Sequence, residues 1–206
     1  MIIDYGATPP IPELSLSDGA HLKNYRRVYA SAEKAADRGS MDLEQWFSAV
    51  DEAGIDLTVI KARDVETTFG GRVTNEAVAK VVADHPGRFL GFAGVDPNKG
   101  MTALRELEDA VTGLGLKGLN IQCFENRLAI DDRRMYPVYA KCIELDIPVN
   151  IHVGMNFSLK SSPEFGRPML LDKVLCDFPD LRVIASPPGW PWVEELLAVA
   201  WRHPNL

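Results

Sequence analysis

Short apolar segments alternate with helical patterns along this chain of 206 residues, and that order limits the folds that are open to it. Six segments have the composition of β-strands, namely residues 1–5, 57–60, 89–95, 116–122, 149–153 and 181–185. Helical patterns occupy residues 42–53, 75–84, 102–111, 135–145, 170–176 and 193–201. Strands that are mostly apolar on both faces belong to a parallel sheet covered by helices. The alternation therefore predicts an α/β fold, either a (β/α) barrel or a doubly wound sheet.

The number of βα units bears on the choice between these folds. No Gly-x-Gly-x-x-Gly follows the first strand, which removes the main support for a dinucleotide-binding doubly wound sheet. A closed TIM barrel has eight βα units and takes about 250 residues. We therefore expect one TIM-barrel-like domain over residues 1–206, incomplete, with about six βα units and an irregular insertion at residues 6–40. Its free sheet edges indicate either a shortened polypeptide or a partner subunit that covers the gap, and we expect a homo-oligomer.

Composition excludes several classes of function. The net charge of −7 argues against nucleic acid or an anionic membrane as the partner. No apolar run reaches the roughly 18 residues of a membrane helix, and the first residues lack the pattern of a secretory leader. Three cysteines, an odd number without CxxC spacing, are typical of reduced thiols. Together these features predict a cytoplasmic protein.

Polar side chains interrupt two of the predicted strands near their C-terminal ends. Asn150 and His152 share one face of the fifth strand, and Asn120 and Gln122 share one face of the fourth. Parallel α/β proteins build their active sites at these ends, where a histidine can bind a metal ion or move a proton. One interpretation is a substrate pocket with His152 as the catalytic group. The other is a set of amides that hydrogen-bond one another and the backbone.

Further residues are candidates for binding a substrate. Lys61 and Arg63 follow the second predicted strand and can bind a carboxylate or phosphate, or else lie in a solvated loop. Asp4 ends the first strand, where it either hydrogen-bonds a group in the pocket or fixes a turn. Trp190 belongs to a proline-rich turn at residues 186–192. That turn either walls an apolar pocket or holds the start of the last helix.

Several segments together resemble the amidohydrolase-related (amidohydrolase 2 type) metal-dependent hydrolases and decarboxylases of TIM-barrel fold. They are residues 1–4 (MIID), 88–97 (RFLGFAGVDP), 115–120 (GLKGLN), 148–154 (PVNIHVG), and 184–185 with 189–192 (IA and GWPW). The resemblance spans essentially the whole chain. It implies a hydrolase or carboxy-lyase that acts on small carboxylic or aromatic acids with a divalent metal ion, zinc or manganese.

The resemblance also implies which positions would hold that metal ion. The His-x-His of the family falls on Gly6 and Thr8, and a further histidine ligand falls on His152. The family's histidine that acts on the substrate or on metal-bound water falls on Pro187. The last ligand of the family is an aspartate on an eighth strand, beyond the six strands predicted here. Of these positions, only His152 carries a usual metal ligand.

Different classes of function stay open at this stage. In the first, the protein is an enzyme of the family type, with His152 as acid–base group or metal ligand. Asn150, Gln122 and Arg63 would then position a small carboxylic or aromatic acid. In the second, the protein is a non-catalytic, metal-free barrel that binds a small molecule or acts in a protein assembly. In the third, the sequence is a shortened version of a longer enzyme.

Overall fold

The computed structural model describes residues 1–16, 19–30 and 41–206. Part of the predicted irregular insertion, residues 17–18 and 31–40, lies outside the described residues. The prediction is wrong for Lys23–Ala30, which form helix α1 after short 3-10 turns at Pro12–Leu14 and Ala20–Leu22. An isolated helix of two turns is unstable in water, and α1 depends on tertiary contacts. Tyr25 and Tyr29 both pack against the distant Phe157 ring, which no local sequence pattern reveals.

Six strands form one parallel sheet. They are β1 (Ile3–Asp4), β2 (Leu57–Lys61), β5 (Phe89–Gly94), β6 (Leu119–Ile121), β7 (Val149–Ile151) and β8 (Val183–Ala185), and they lie side by side in that order. Two shorter strands, β3 (Arg63–Val65) and β4 (Gly71–Val73), pair as a separate antiparallel hairpin. The parallel sheet curls into a half-barrel, which confirms the prediction of a TIM-barrel-like α/β fold.

Eight helices follow α1 within the described residues. They are α2 (Leu43–Glu52), α3 (Glu66–Phe69), α4 (Asn75–Asp84), α5 (Met101–Thr112), α6 (Cys123–Asn126), α7 (Tyr136–Glu144), α8 (Leu170–Asp177) and α9 (Val193–Arg202). The six longer ones match the helices predicted from sequence. A capping box starts α2, because the Asp42 carboxylate accepts from the Gln45 amide at 2.8 Å and the Gln45 side chain accepts from the Asp42 amide at 3.0 Å. None of the described helices is long and apolar enough to cross a membrane.

The sheet has an apolar side and a polar side, because successive side chains along a strand point in opposite directions. Its apolar residues pack with the helices in the main core; they include Ile60, Ala62, Leu119, Ile121, Val149 and Ile151. The residues next to them in sequence point to the other, inner side. We call that set the concave face, and it consists of Lys61, Asn120, Gln122, Asn150 and His152. The register of β6 and β7 places Asn120 beside Asn150.

Gly94, at the end of β5, gives a direct test of how closely the strands meet beside the concave face. A Cβ atom on this residue would lie 2.4 Å from the carbonyl carbon of Ala62, so one of the two backbones would have to move. We expect Gly94→Ala to lower the free energy of unfolding by about 1–3 kcal/mol, measured by denaturant titration. Gly6→Ala is the control, because its new methyl group would meet its nearest atom at 3.9 Å. Equal stability of the two variants would contradict the packing described.

Candidate functional site

A row of three side-chain amides crosses the concave face. Asn120 donates from Nδ2 to the carbonyl oxygen of Ala62 at 3.0 Å. Its Oδ1 accepts from Asn150 Nδ2 at 2.8 Å and from Gln122 Nε2 at 3.1 Å. These bonds engage both the nitrogen and the oxygen of the Asn120 amide, but Asn150 Oδ1 is buried and has no hydrogen-bond partner among the described residues. The amides thus hydrogen-bond one another, as one interpretation of the sequence predicts, but the acceptor Asn150 Oδ1 remains without a described partner.

His152 directly follows β7 at the C-terminal end of the sheet, and its backbone amide donates to Ile121 at 3.0 Å. The imidazole meets the Phe124 ring edge-on, with 4.7 Å between ring centroids. Its Nδ1 is buried and, within the described part of the chain, has no hydrogen-bond partner. Burial lowers the pKa of His152 to about 4, so the ring is neutral at pH 7. A neutral imidazole with a free nitrogen can accept a hydrogen bond, donate one or take up a proton.

Glu125 lies in α6, where its charge acts on the pKa of His152, and its side chain is fully buried. The guanidinium of Arg63 binds both of its carboxylate oxygens, with Nε 3.0 Å from Oε2, and His21 Nε2 lies 2.8 Å from Oε1. Burial alone would raise the pKa of Glu125. The Arg63 charge and the hydrogen bonds from His21 and Arg63 outweigh burial and hold that pKa below its ordinary value.

This buried cluster is the part of the site that the sequence analysis missed. Glu125 and His21 are 104 residues apart, and His21 comes from the segment predicted to be irregular. One feature of the sequence could have indicated Glu125. It lies three residues after Gln122, the polar residue at the end of the fourth predicted strand. Arg63 was predicted to bind the carboxylate of a substrate. It binds a carboxylate of the protein itself, so its charge is already compensated.

Lys61, at the end of β2, has a different environment from Arg63. Its Nζ donates to the Tyr5 carbonyl oxygen at 2.6 Å and lies 4.3 Å from the centroid of the Tyr5 ring. Burial lowers the pKa of Lys61 to about 8; nearby Asp4 opposes that shift and Arg63 adds to it. Lys61 therefore brings a largely uncompensated positive charge to the concave face near pH 7.

The remaining predicted residues, Asp4 and Trp190, make their hydrogen bonds outside the row of amides. Asp4 Oδ1 accepts from the backbone amides of Gly6 and Ala7 at 2.8 and 3.0 Å, which is the turn-fixing role that its sequence position allowed. Trp190 is 59% exposed, and its backbone carbonyl accepts from the Met155 amide at 2.6 Å. Neither residue has a described contact with His152 or with the row of amides.

The side chains at the positions implied for a metal ion do not fit one. Gly6 has no side-chain donor and Pro187 has no nitrogen or oxygen in its side chain, and both are exposed. The one group of three metal-binding side chains found among the described residues is elsewhere, formed by Asp172 and Cys176 of α8 and His203 after α9. There the Arg202 guanidinium already lies 3.1 Å from the Asp172 carboxylate, so that negative charge is compensated. Of the positions implied for a metal ion, His152 alone carries a usual ligand.

A sequence model of the Amidohydrolase family (Amidohydro_2) matches residues 20–206. The chain belongs to this family. A 2-amino-3-carboxymuconate-6-semialdehyde decarboxylase of Dictyostelium discoideum is 28% identical over 97 residues, which are 47% of this chain and 27% of that protein. The chain spans 27–38% of the length of the three curated relatives that it matches, so it corresponds to a part of them.

Solved structures of a TIM-barrel protein and of a decarboxylase agree with the half-barrel. An uncharacterised TIM-barrel protein of Bordetella bronchiseptica is 30% identical with a TM-score of 0.79, and the match covers 100% of this chain and 73% of that one. A dihydroxybenzoic acid decarboxylase of a Polaromonas species, with bound manganese and the inhibitor 2-nitroresorcinol, has a TM-score of 0.63 at 20% identity. That match covers 98% of this chain and 68% of the decarboxylase.

The burial of His152 predicts a dependence of stability on pH. Its folded pKa of about 4 lies below the ordinary value of 6.5, so between these pH values the unfolded chain binds a proton that the folded chain does not. Stability is then lost as pH falls, by up to about 3 kcal/mol from this group. We expect the stability difference between wild type and His152→Gln to shift in favour of the variant from pH 7 to pH 4, measured by urea titration. A difference that stays constant would show that the ring titrates normally.

The Glu125 cluster predicts a large cost for a small chemical change. Glu125→Gln keeps the shape of the side chain but leaves the Arg63 guanidinium beside a neutral amide. Because Arg63 keeps some access to water, we expect a loss of about 2–3 kcal/mol of unfolding free energy, below the range for fully buried pairs. Glu108→Gln is the control, since it disrupts an exposed pair with Lys141 at 3.4 Å and should cost less than about 1 kcal/mol. Similar losses in both variants would contradict a structural role for Glu125.

Proposed function

We propose that this amidohydrolase-family chain binds a small carboxylic or aromatic acid on its concave face without the divalent metal ion of its relatives. The observation that carries the proposal is the pair of buried polar atoms without described partners, Asn150 Oδ1 and His152 Nδ1. Such atoms cost about 1–3 kcal/mol each when they stay unpaired. A ligand that hydrogen-bonds both would remove that cost, which is what a built binding site provides.

Charge supports an acid as the ligand. The Arg63 charge is compensated by Glu125, but Lys61 has no described carboxylate within ion-pairing distance. A ligand carboxylate near Lys61 would gain a charge-assisted hydrogen bond. The Phe124 ring beside His152 offers an apolar surface for an aromatic or unsaturated body. These features together fit an acid with a flat hydrocarbon portion.

Relatives of the chain point to the same chemical class. By their names, they include a decarboxylase of a carboxymuconate semialdehyde and a decarboxylase of dihydroxybenzoic acid. For this chain we infer small acids that carry a hydroxyl group or an aldehyde or ketone carbonyl besides the carboxylate.

The metal-dependent hydrolase or decarboxylase is the alternative, and the manganese in related structures favours it. The exposed Gly6 and Pro187 oppose it in this chain, because neither can replace a histidine ligand. Assembly as a homo-oligomer stays a prediction.

Isothermal titration calorimetry with 2,6-dihydroxybenzoate tests the proposal. We expect saturable binding that does not change when manganese is added, and we expect His152→Ala to weaken it about tenfold through the loss of one or two hydrogen bonds. His85→Ala, which replaces a histidine at the end of α4, is the control and should bind like wild type. Binding that requires manganese, or that is equal in both variants, would overturn the proposal.

A further inference from the structure

Lys61 is an unusual lysine in this structure. Lys99 binds the Asp64 and Glu66 carboxylates at 2.6 and 2.8 Å, and Lys141 binds Glu144 at 2.9 Å. Among the described residues, the only hydrogen bond of the Lys61 side chain is to the Tyr5 carbonyl oxygen, and Lys61 forms no ion pair. A lysine that is partly buried without a counterion is costly to keep charged.

The groups around Lys61 come from several elements of the sheet. Asp4 of β1 acts on it from one side and favours the charged form. Arg63, after β2, disfavours the charged form, as Lys61 in turn disfavours the charged form of His152 after β7. Burial outweighs Asp4, so the pKa of Lys61 falls to about 8 from its ordinary 10.5. At neutral pH, about a tenth of the molecules carry the free amine, roughly 300 times the fraction for an ordinary lysine.

We propose that Lys61 captures the aldehyde or ketone carbonyl of a bound acid as an imine. This inference rests on the proposed function, because the acid must first occupy the concave face. A neutral amine has two N–H groups and one lone pair. One N–H can keep the bond to the Tyr5 carbonyl while the lone pair is free, and no described side chain competes for it.

Imine formation needs no reactant besides the Lys61 amine and the carbonyl group of the acid. The Nζ lone pair forms a bond to the carbonyl carbon, the carbon–oxygen double bond opens, and the oxygen leaves as water with the two amine protons. The product is a C=N bond between substrate and Lys61. Its protonated form withdraws electrons from the neighbouring carbon, which is the service that lysine imines provide in other enzymes. The concave face would thus offer an organic electron sink where the family uses a metal ion.

Reductive trapping tests the inference on the whole chain. The protein is incubated with pyruvate and sodium cyanoborohydride, which delivers hydride to an imine carbon and leaves a stable secondary amine. We expect one adduct per chain, mapped by peptide mass spectrometry to Lys61, with a yield that rises with pH around a midpoint of about 8. An adduct spread over exposed lysines, or no adduct, would overturn the inference.

Two variants make the assignment specific. Lys61→Arg keeps the positive charge and can keep the bond to Tyr5, so it should fold, as its melting temperature will show, and form no adduct. Lys80→Arg changes an exposed lysine of α4 that pairs with Asp84, and it should be trapped like wild type. The calorimetric probe, 2,6-dihydroxybenzoate, has no aldehyde or ketone. Its binding without a pyruvate adduct would therefore remove the imine and leave the proposed function standing. An adduct on Lys61 without binding of 2,6-dihydroxybenzoate would instead restrict the proposed function to acids that carry an aldehyde or ketone.

Discussion

The arrangement of segments at the C-terminal end of this sheet depends on a buried carboxylate without access to water. Glu125 keeps its charge only because Arg63 and His21 bind it, and these three residues come from different parts of the chain. Arg63 opens the β3–β4 hairpin, Glu125 lies in α6 after β6, and His21 precedes α1. Their contact therefore holds these three segments together over one end of the half-barrel. The surroundings of His152 depend on that arrangement.

The same cluster decides which positive charge is left for a ligand. Lys61 ends β2 and Arg63 follows two residues later. From the sequence alone, both residues are equally good candidates for binding an acid. Glu125 compensates the charge of Arg63, while the described contacts of the Lys61 ammonium are a backbone carbonyl and an aromatic ring. Within the described residues, the Arg63 charge is thus paired with a carboxylate, whereas Lys61 forms no ion pair and His152 Nδ1 has no hydrogen-bond partner. At the positions implied for the family's metal ion, the described Gly6, Thr8 and Pro187 are not usual metal ligands.

The parallel sheet and the polar strand ends could be predicted from sequence, because both are set by local patterns. Alternation placed Asn120, Gln122, Asn150 and His152 on one face, and the structure brings them there. The pairing of Arg63 with Glu125 could not be predicted, since it depends on how two distant loops meet. The hairpin of β3 and β4 was missed because strands of three residues are too short to show a period.

The direction of hydrogen bonding along the row of amides determines whether a ligand there must donate or accept a hydrogen bond. Asn120 directs its NH₂ group at the Ala62 carbonyl, so its oxygen faces Asn150 and Gln122 and accepts from both. Asn150 must then turn its own NH₂ group toward Asn120 and its oxygen away. The backbone carbonyl of Ala62, directly after β2, thereby sets the orientation of the Asn150 amide on β7, three strands along the sheet. The row of amides should therefore distinguish a salicylate-like acid from the corresponding methyl ether. The phenol of the first can donate a hydrogen bond to Asn150 Oδ1, and the ether cannot.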